Sequence, residues 1–414
     1  MKKITDLNKR PSTLLAFALI PLSGFALDVF IPSLPNMATS LHAAPSAVQL
    51  TLSVFLISRG ICQLLVGSFL DSFGRYWPTV ISLLLFSAAS FVIAQANSLN
   101  MVYAMRALQG LAVAIIIVSK RAVFTDLYTG EKLKQYTSMF SVIWAAAPII
   151  APFIGGFLQV HFGWRSNFTF LGYFALLFLV LELLLDGETL QQKHPFNLRS
   201  ISAAYGTMVK AKDFSMGLII LGLCYSMIMV YGMTSPFLIE NIMHFSPTIT
   251  GNASLVSGLS VMMGGIVSRR LIGKPFFRKV ITAAIAMEIA GFILLALATN
   301  YANLYTLLAY VVLLHFGMGF VFNSIFSYVL TRFPAMGGKA SGLAGGTYII
   351  LTSAISQLVA SVFAIKTQVG LGLMYLTLTF IFTLIFISTK WLGSKKAAKD
   401  EVKENAVQFE VVYE

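Results

Sequence analysis

Twelve apolar stretches, each of roughly 20 residues and almost free of ionisable side chains, recur along this sequence. Roughly 20 apolar residues is the length a helix rising about 1.5 Å per residue needs to cross a bilayer core. Such a chain has few folds open to it. In hydrocarbon each backbone N–H and C=O must be satisfied internally, so repeated apolar runs dictate an all-α, polytopic membrane protein. The runs cover Thr13 to Leu34, Val48 to Leu70, Thr79 to Ala96, Met101 to Phe124, Tyr136 to Val160 and Asn167 to Leu185. They continue over Phe214 to Leu238, Thr250 to Val267, Ile281 to Thr299, Leu304 to Leu330, Ala340 to Ala364 and Leu371 to Ile387. Only 11% of the 414 residues are charged, against about 25% in soluble domains, too few to dress a water-facing surface.

The longest gap between runs, Asp186 to Asp213, is polar and basic and divides them into six and six. The expected organisation is a six-helix bundle over 1–185, a cytoplasmic linker over 186–213, a second bundle over 214–393 and a disordered cytoplasmic tail over 394–414. The first run follows Lys2, Lys3, Lys9 and Arg10, as a signal peptide would. With no small-residue cleavage site and eleven runs behind it, it reads as the first membrane helix. Placing the N-terminus in the cytoplasm puts 25 Lys and Arg on that side and only Arg165 and Lys366 on the other. That is the positive-inside pattern, so both termini are expected in the cytoplasm. The net charge of +13 is confined largely to loops, which argues against nucleic acid as a partner and for the lipid bilayer. Cys62 and Cys224 offer no disulfide framework or metal spacing. There is no phosphate loop, Gly-x-Ser-x-Gly or His-Glu-x-x-His, so no enzymatic activity is expected.

Local motifs sharpen the class. Between the second and third runs stands Gly67-Ser-Phe-Leu-Asp71-Ser-Phe-Gly74-Arg75. Its glycines let two helix ends approach, while Asp71 can accept charged hydrogen bonds or face a helix N-terminus, making a latch over the cytoplasmic side. A tight turn is the alternative; glycine, acid and base falling in register favours the latch. The fourth run carries Arg106-Ala-Leu-Gln109-Gly110, and the fifth Ala147-Pro148-Ile-Ile-Ala151-Pro152-Phe-Ile-Gly155-Gly156, where small residues and prolines permit close packing and a bend.

With the six-plus-six division, these elements resemble the major facilitator superfamily. They are similar to its Gly-x-x-x-Asp-basic-x-Gly-basic-basic loop, with Ser72 and Tyr76 in place of two basic residues, its Arg-x-x-Gln-Gly element and its antiporter motif. The runs Leu27-Asp28-Val-Phe-Ile-Pro32-Ser-Leu-Pro35, Val48-Gln49-Leu-Thr51-Leu-Ser53 and Gly60-x-x-Gln63-Leu are similar to the bicyclomycin-resistance branch of the drug:proton antiporters. So are Arg121-Ala122, Asp126-Leu127, Gly163-Trp164-Arg165 and Glu188-Thr189-Leu190. The resemblance implies two six-helix halves that rock about a central site. It also implies a monomer of a bacterial inner membrane that exports small amphiphilic or drug-like molecules on the proton gradient, with no cofactor.

Ionisable groups inside the apolar runs cost at least about 2.5–3.5 kcal/mol each on insertion scales, so each needs a reason. Asp28 and Arg106 both lie about six residues, roughly 9 Å, from the outer ends of their helices. They can pair as a proton-coupling site or as a static ion pair. Arg59 falls near mid-membrane, with Gln63 one turn on. Lys120 is fourteen residues beyond Arg106, about 40° from the same face. Arg59, Arg106 and Lys120 then make a positive ladder offset only by Asp28, which suits an anionic or carboxylate substrate such as a siderophore. A snorkelling boundary lysine is the alternative for Lys120. Arg59, Gln63, Gln109, Lys120, Tyr225, Tyr231 and His315 are the candidate substrate contacts, with Met227 and Met233 beside the tyrosines. His315 can relay protons or serve in packing, and Glu288 reads as a neutral glutamic acid.

Overall fold

The computed structural model describes Ile4, residues 6–363 and residues 367–388. Lys366 and the 394–414 tail lie outside the described residues. The first half comprises α1 (Asp6–Leu19), α2 (Leu22–Asp28), a 3₁₀ turn (Ile31–Ser33), α3 (Leu34–Ser40), α4 (Pro45–Phe73), α5 (Tyr76–Gln95), α6 (Leu99–Leu127), α7 (Gly130–Phe162) and α8 (Arg165–Leu185). After α9 (Leu198–Lys210), the second half comprises α10 (Lys212–Pro236), a π-helical stretch (Phe237–Ile242), α11 (Pro247–Arg270), α12 (Phe276–Asn300), α13 (Leu304–Thr331), α14 (Gly337–Phe363) and α15 (Gln368–Ser388). Among the described residues, eleven segments are long and apolar enough to cross a membrane, counting α1 to α3 as one and α10 with its π stretch as another. The twelfth is α7, whose apolar part, Ala147–Phe162, is shorter. The large apolar side chains left outside, such as Ile285, Ile289, Phe292 and Ile293 on α12, form a face that water would not tolerate and lipid does.

One expectation needs correction. The first span is not one helix. It breaks at Pro21 and again across Val29–Ser33, because a proline removes a backbone donor and its ring clashes with the preceding turn. Pro21, Pro32 and Pro35 do this in succession. Asp28 therefore ends a short helix, beside backbone carbonyls released from helical bonding. The linker carries a helix of its own: α9 buries Ile201, Ala204 and Met208 on one face.

The halves meet along α4 with α14 and α7 with α11. Ser53 donates to Gln357 Oε1 at 3.1 Å, Ser353 to the Ser53 carbonyl at 3.1 Å, and Gln49 to the Met233 carbonyl at 2.8 Å. In α7, a Cβ on Gly155 would overlap the Val29 carbonyl in the broken first span, and one on Gly156 would crowd the Pro247 carbonyl of α11. Adjacent glycines thus seat one helix against both halves, the close approach that small residues permit in membranes. Despite Pro148 and Pro152, α7 runs unbroken.

Candidate functional site

Arg106 is fully buried and works on the break in the first span. Its Nη1 donates to the Ala26 carbonyl at 2.8 Å and to Gln109 Oε1 at 2.9 Å, and its Nε to the Thr51 carbonyl at 3.4 Å. The guanidinium lies over the rings of Phe30 and Phe55, 4.7 and 4.2 Å from their centroids, a cation–π contact strengthened by desolvation. Gln109 is fixed by its own donation to Ser90 Oγ at 2.8 Å. It sits inside the first bundle as the holder of Arg106, not at the face between the halves. Asp28, 5% exposed, lies within electrostatic reach of Arg59 and Arg106. No ion pair or hydrogen bond engages its carboxyl group among the described residues. The expected pair is thus an acid and a base kept near each other but not joined.

Arg59 is 7% exposed, and its Nε is buried with no partner among the described residues. It lies within electrostatic reach of Asp28, Arg121 and Tyr348. Opposite it, the second half contributes an aromatic cluster. The Tyr225 ring lies 5.9 Å from those of Phe322 and Tyr348, and Phe326 lies 6.1 Å from Tyr348. Tyr225 also faces Asp28 and Arg59 electrostatically, so acid, guanidinium and aromatic cluster adjoin one another at the junction of the halves. Gln63 lies at the same junction, with its amide against Gly345 of α14.

Lys120 belongs elsewhere. Its ammonium, 1% exposed, holds Glu182 at 2.6 Å and Asp186 at 2.5 Å, and Ser12 donates to Asp186 at 2.6 Å. Neither a substrate ladder nor snorkelling describes it: two acids on and just after α8 consume its charge. Burial pushes the Asp186 carboxyl up, but the Lys120 charge and the hydrogen bonds from Lys120 and Ser12 outweigh it and hold the group below its usual value. That contribution to stability is present above the ordinary carboxylate range and fades as pH falls through the lowered value.

His315 and Tyr231 also leave the site. His315 is fully buried inside the second bundle, with Nδ1 2.7 Å from Ser257 Oγ, Nε2 2.9 Å from Tyr375 Oη and the Tyr231 ring edge-on at 5.3 Å. Both ring nitrogens are engaged, as in a packing histidine. Glu288 accepts from Thr383 at 3.5 Å.

At the end of the molecule that carries the α4–α5 loop, Gly74 turns the chain at φ +100°, a conformation that suits glycine. The space beside its Cα is filled by the carboxylate of Glu188. Glu188 accepts from Arg75 N at 3.0 Å and Tyr76 N at 3.2 Å, placing a negative charge on the N-terminus of α5. The acid facing a helix N-terminus is therefore Glu188 rather than Asp71. Asp71 pairs with Arg75 one turn away at 2.8 Å, and Arg75 reaches Asp126 at 3.2 Å. Gly67 has open space beside it, so no close approach explains it. The linker follows Glu188 across both halves: Ser72 donates to the His194 carbonyl at 2.7 Å, Tyr205 to the Leu64 carbonyl at 2.6 Å and Lys339 to Ser200 at 3.0 Å. Glu188→Ala is expected to lower stability by about 1–2 kcal/mol, as loss of a helix cap does, whereas Asp71→Asn, at a half-exposed i,i+4 pair, changes it by about 0.5 kcal/mol or less. Thermal unfolding in detergent compares them.

The sequence of residues 16–356 matches the model of the Major Facilitator Superfamily. The chain belongs to that superfamily. It is 25% identical to multidrug resistance protein D of Escherichia coli, over 92% of this chain and 94% of the relative. It is 24% identical to the bicyclomycin resistance protein homolog of Haemophilus influenzae, over 82% and 86%. Among solved structures, the nucleoside transporter NupG superposes with a TM-score of 0.72 at 16% identity, covering 92% of this chain and 99% of its own. Membership makes this a multi-pass membrane transporter of small molecules rather than an enzyme. Sequence reading of this superfamily member missed the partners of Lys120, the helix-capping role of Glu188 and the place of Arg121 beside Arg59. Signals existed: Glu182 and Asp186 flank the end of an apolar run, one helical turn apart.

Proposed function

We propose that this chain is a proton-coupled exporter of small amphiphilic, drug-like molecules, working as a monomer in a bacterial inner membrane. Alternating access is powered by the proton gradient, with no cofactor. The reading is carried by Asp28: a nearly buried carboxyl group at the end of α2, unpaired yet within reach of two guanidiniums. An unpaired acid at a helix break can gain and lose a proton as the halves rock, and the charge change biases one state over the other. Resemblance to the two named resistance proteins supports the substrate class. The linker contacts from Glu188 to Lys339 would strap the cytoplasmic side in this conformation.

Purified protein in liposomes tests this reading. An inward-directed proton gradient across membranes loaded with amphiphilic antibiotics is expected to drive antibiotic out and alkalinise the medium in step. Preloading with unlabelled compound is expected to accelerate labelled uptake, as a carrier does and an open pore does not. Drug movement indifferent to the proton gradient overturns the reading.

A further inference from the structure

Among the described residues at the junction of the halves, the Asp28 carboxylate lies within electrostatic reach of the Arg59 and Arg106 guanidiniums, and Arg121 lies within reach of Arg59 and Tyr348. Arg106 is bonded to carbonyls and to Gln109. Arg59 and Arg121 are different: neither makes a hydrogen bond or ion pair among the described residues, and the Nε of each is buried without a partner. A buried guanidinium without a partner is strongly unfavourable, and two within electrostatic reach of each other repel as well. Membrane proteins tolerate such groups where a ligand completes them. Beside the pair stand Tyr225 and Tyr348, whose hydroxyls make no hydrogen bond among the described residues, backed by Phe322 and Phe326.

We propose that Arg59 and Arg121 form an anion subsite that takes the carboxylate of a zwitterionic amphiphile, whose aromatic body lies against Tyr225, Phe322, Phe326 and Tyr348. Guanidinium forks match a carboxylate in both geometry and charge. The positive group of the substrate follows from exchange with protons, and this step rests on the exporter reading. A purely anionic substrate would bind best with Asp28 protonated, and would travel with the proton. Antiport requires competition, so the substrate carries a cation that displaces the proton from Asp28. The groups facing Asp28 are Arg59 from α4, Arg106 from α6 and Tyr225 from α10. None of them supplies a second acid.

The test is calorimetric binding of three matched compounds to the full-length protein in detergent: 5-benzyloxytryptophan, its methyl ester and its N-acetyl derivative. The first is zwitterionic, the second only cationic, the third only anionic. The parent protein is expected to bind the zwitterion about tenfold or more tightly than the ester, the scale of a charge-assisted hydrogen-bond pair. Arg59→Gln and Arg121→Gln are each expected to erase that ratio by weakening the zwitterion and N-acetyl compound while ester binding persists. Asp28→Asn should instead erase the advantage of the zwitterion over the N-acetyl compound. If Arg59→Gln loses ester binding too, it has misfolded, and Arg121→Gln, which is only partly buried, decides. An ester that binds as well as the zwitterion, a ratio that survives both substitutions, or no binding by any of the three overturns the subsite. Proton-coupled movement of other amphiphiles would then leave the exporter reading standing.

Discussion

Asp28→Asn is expected to abolish transport driven by a pH gradient, to the level of liposomes without protein, while exchange at equal pH persists with weakened substrate affinity. Asparagine keeps the shape of the side chain and its place at the end of α2 but cannot release a proton. It also leaves Arg59 and Arg106 without the carboxylate that lies near them. Coupling requires that the proton and the substrate each alter the other's affinity by the same factor. With the titrating group removed that factor becomes one, so substrate moves only down its own gradient. Proton release on substrate binding, followed with a pH dye in weakly buffered detergent solution, should vanish in the same variant. Uphill transport at the parent's rate in Asp28→Asn would place the transported proton elsewhere.

Lys120→Met is expected to show the second large effect, on stability. Glu182 is fully buried, Asp186 is 1% exposed, and both are held by the Lys120 ammonium. Removing the cation leaves two buried acids facing each other, and breaking a buried ion pair from one side costs about 3–5 kcal/mol. The loss should appear as a much lower unfolding temperature and poor recovery from the membrane. The triple variant Lys120→Met, Glu182→Gln, Asp186→Asn removes the uncompensated charges together and is expected to recover most of that loss, since neutral replacement of a whole buried network is often tolerated. A single variant as stable as the parent would show that the acids are not charged when the lysine is present. A substrate-binding lysine would behave otherwise: transport would fall while stability stayed.

The difference between Lys120 and Arg59 shows how far a sequence can be read. Both are cations within apolar runs, and the helical periodicity places Lys120 near the face of Arg106. Periodicity describes one helix against an unspecified surrounding; it does not say which neighbour lies on that face. For Lys120 the neighbour is α8, with partners 62 and 66 residues away. For Arg59 the neighbours are Asp28, Arg121 and an aromatic cluster from the other half, and its Nε has no hydrogen-bond partner among the described residues. The motif around Gly74 teaches the same point. Glycine at the turn and a basic residue after it were legible, since both follow from local backbone geometry. The acid that completes the turn is Glu188, supplied by the linker 113 residues on, where charge and hydropathy gave only a polar segment.

Hydropathy, run length and loop charge by themselves determined that the chain is a helical membrane protein of two halves, because each reports how a single segment partitions between water and hydrocarbon. The prolines of the first run were likewise visible, although only the packed structure turns them into a break whose Ala26 carbonyl is taken by Arg106. The tertiary structure alone decided which buried charges are satisfied and which are not. Lys120, Gln109 and His315 found protein partners and became structural, while Arg59, with Asp28 and Arg121 each within its electrostatic reach, was left without a hydrogen-bond partner among the described residues. In a medium that solvates no ion, the energy of each charge depends on the groups within a few ångströms of it, and helix packing chooses those groups.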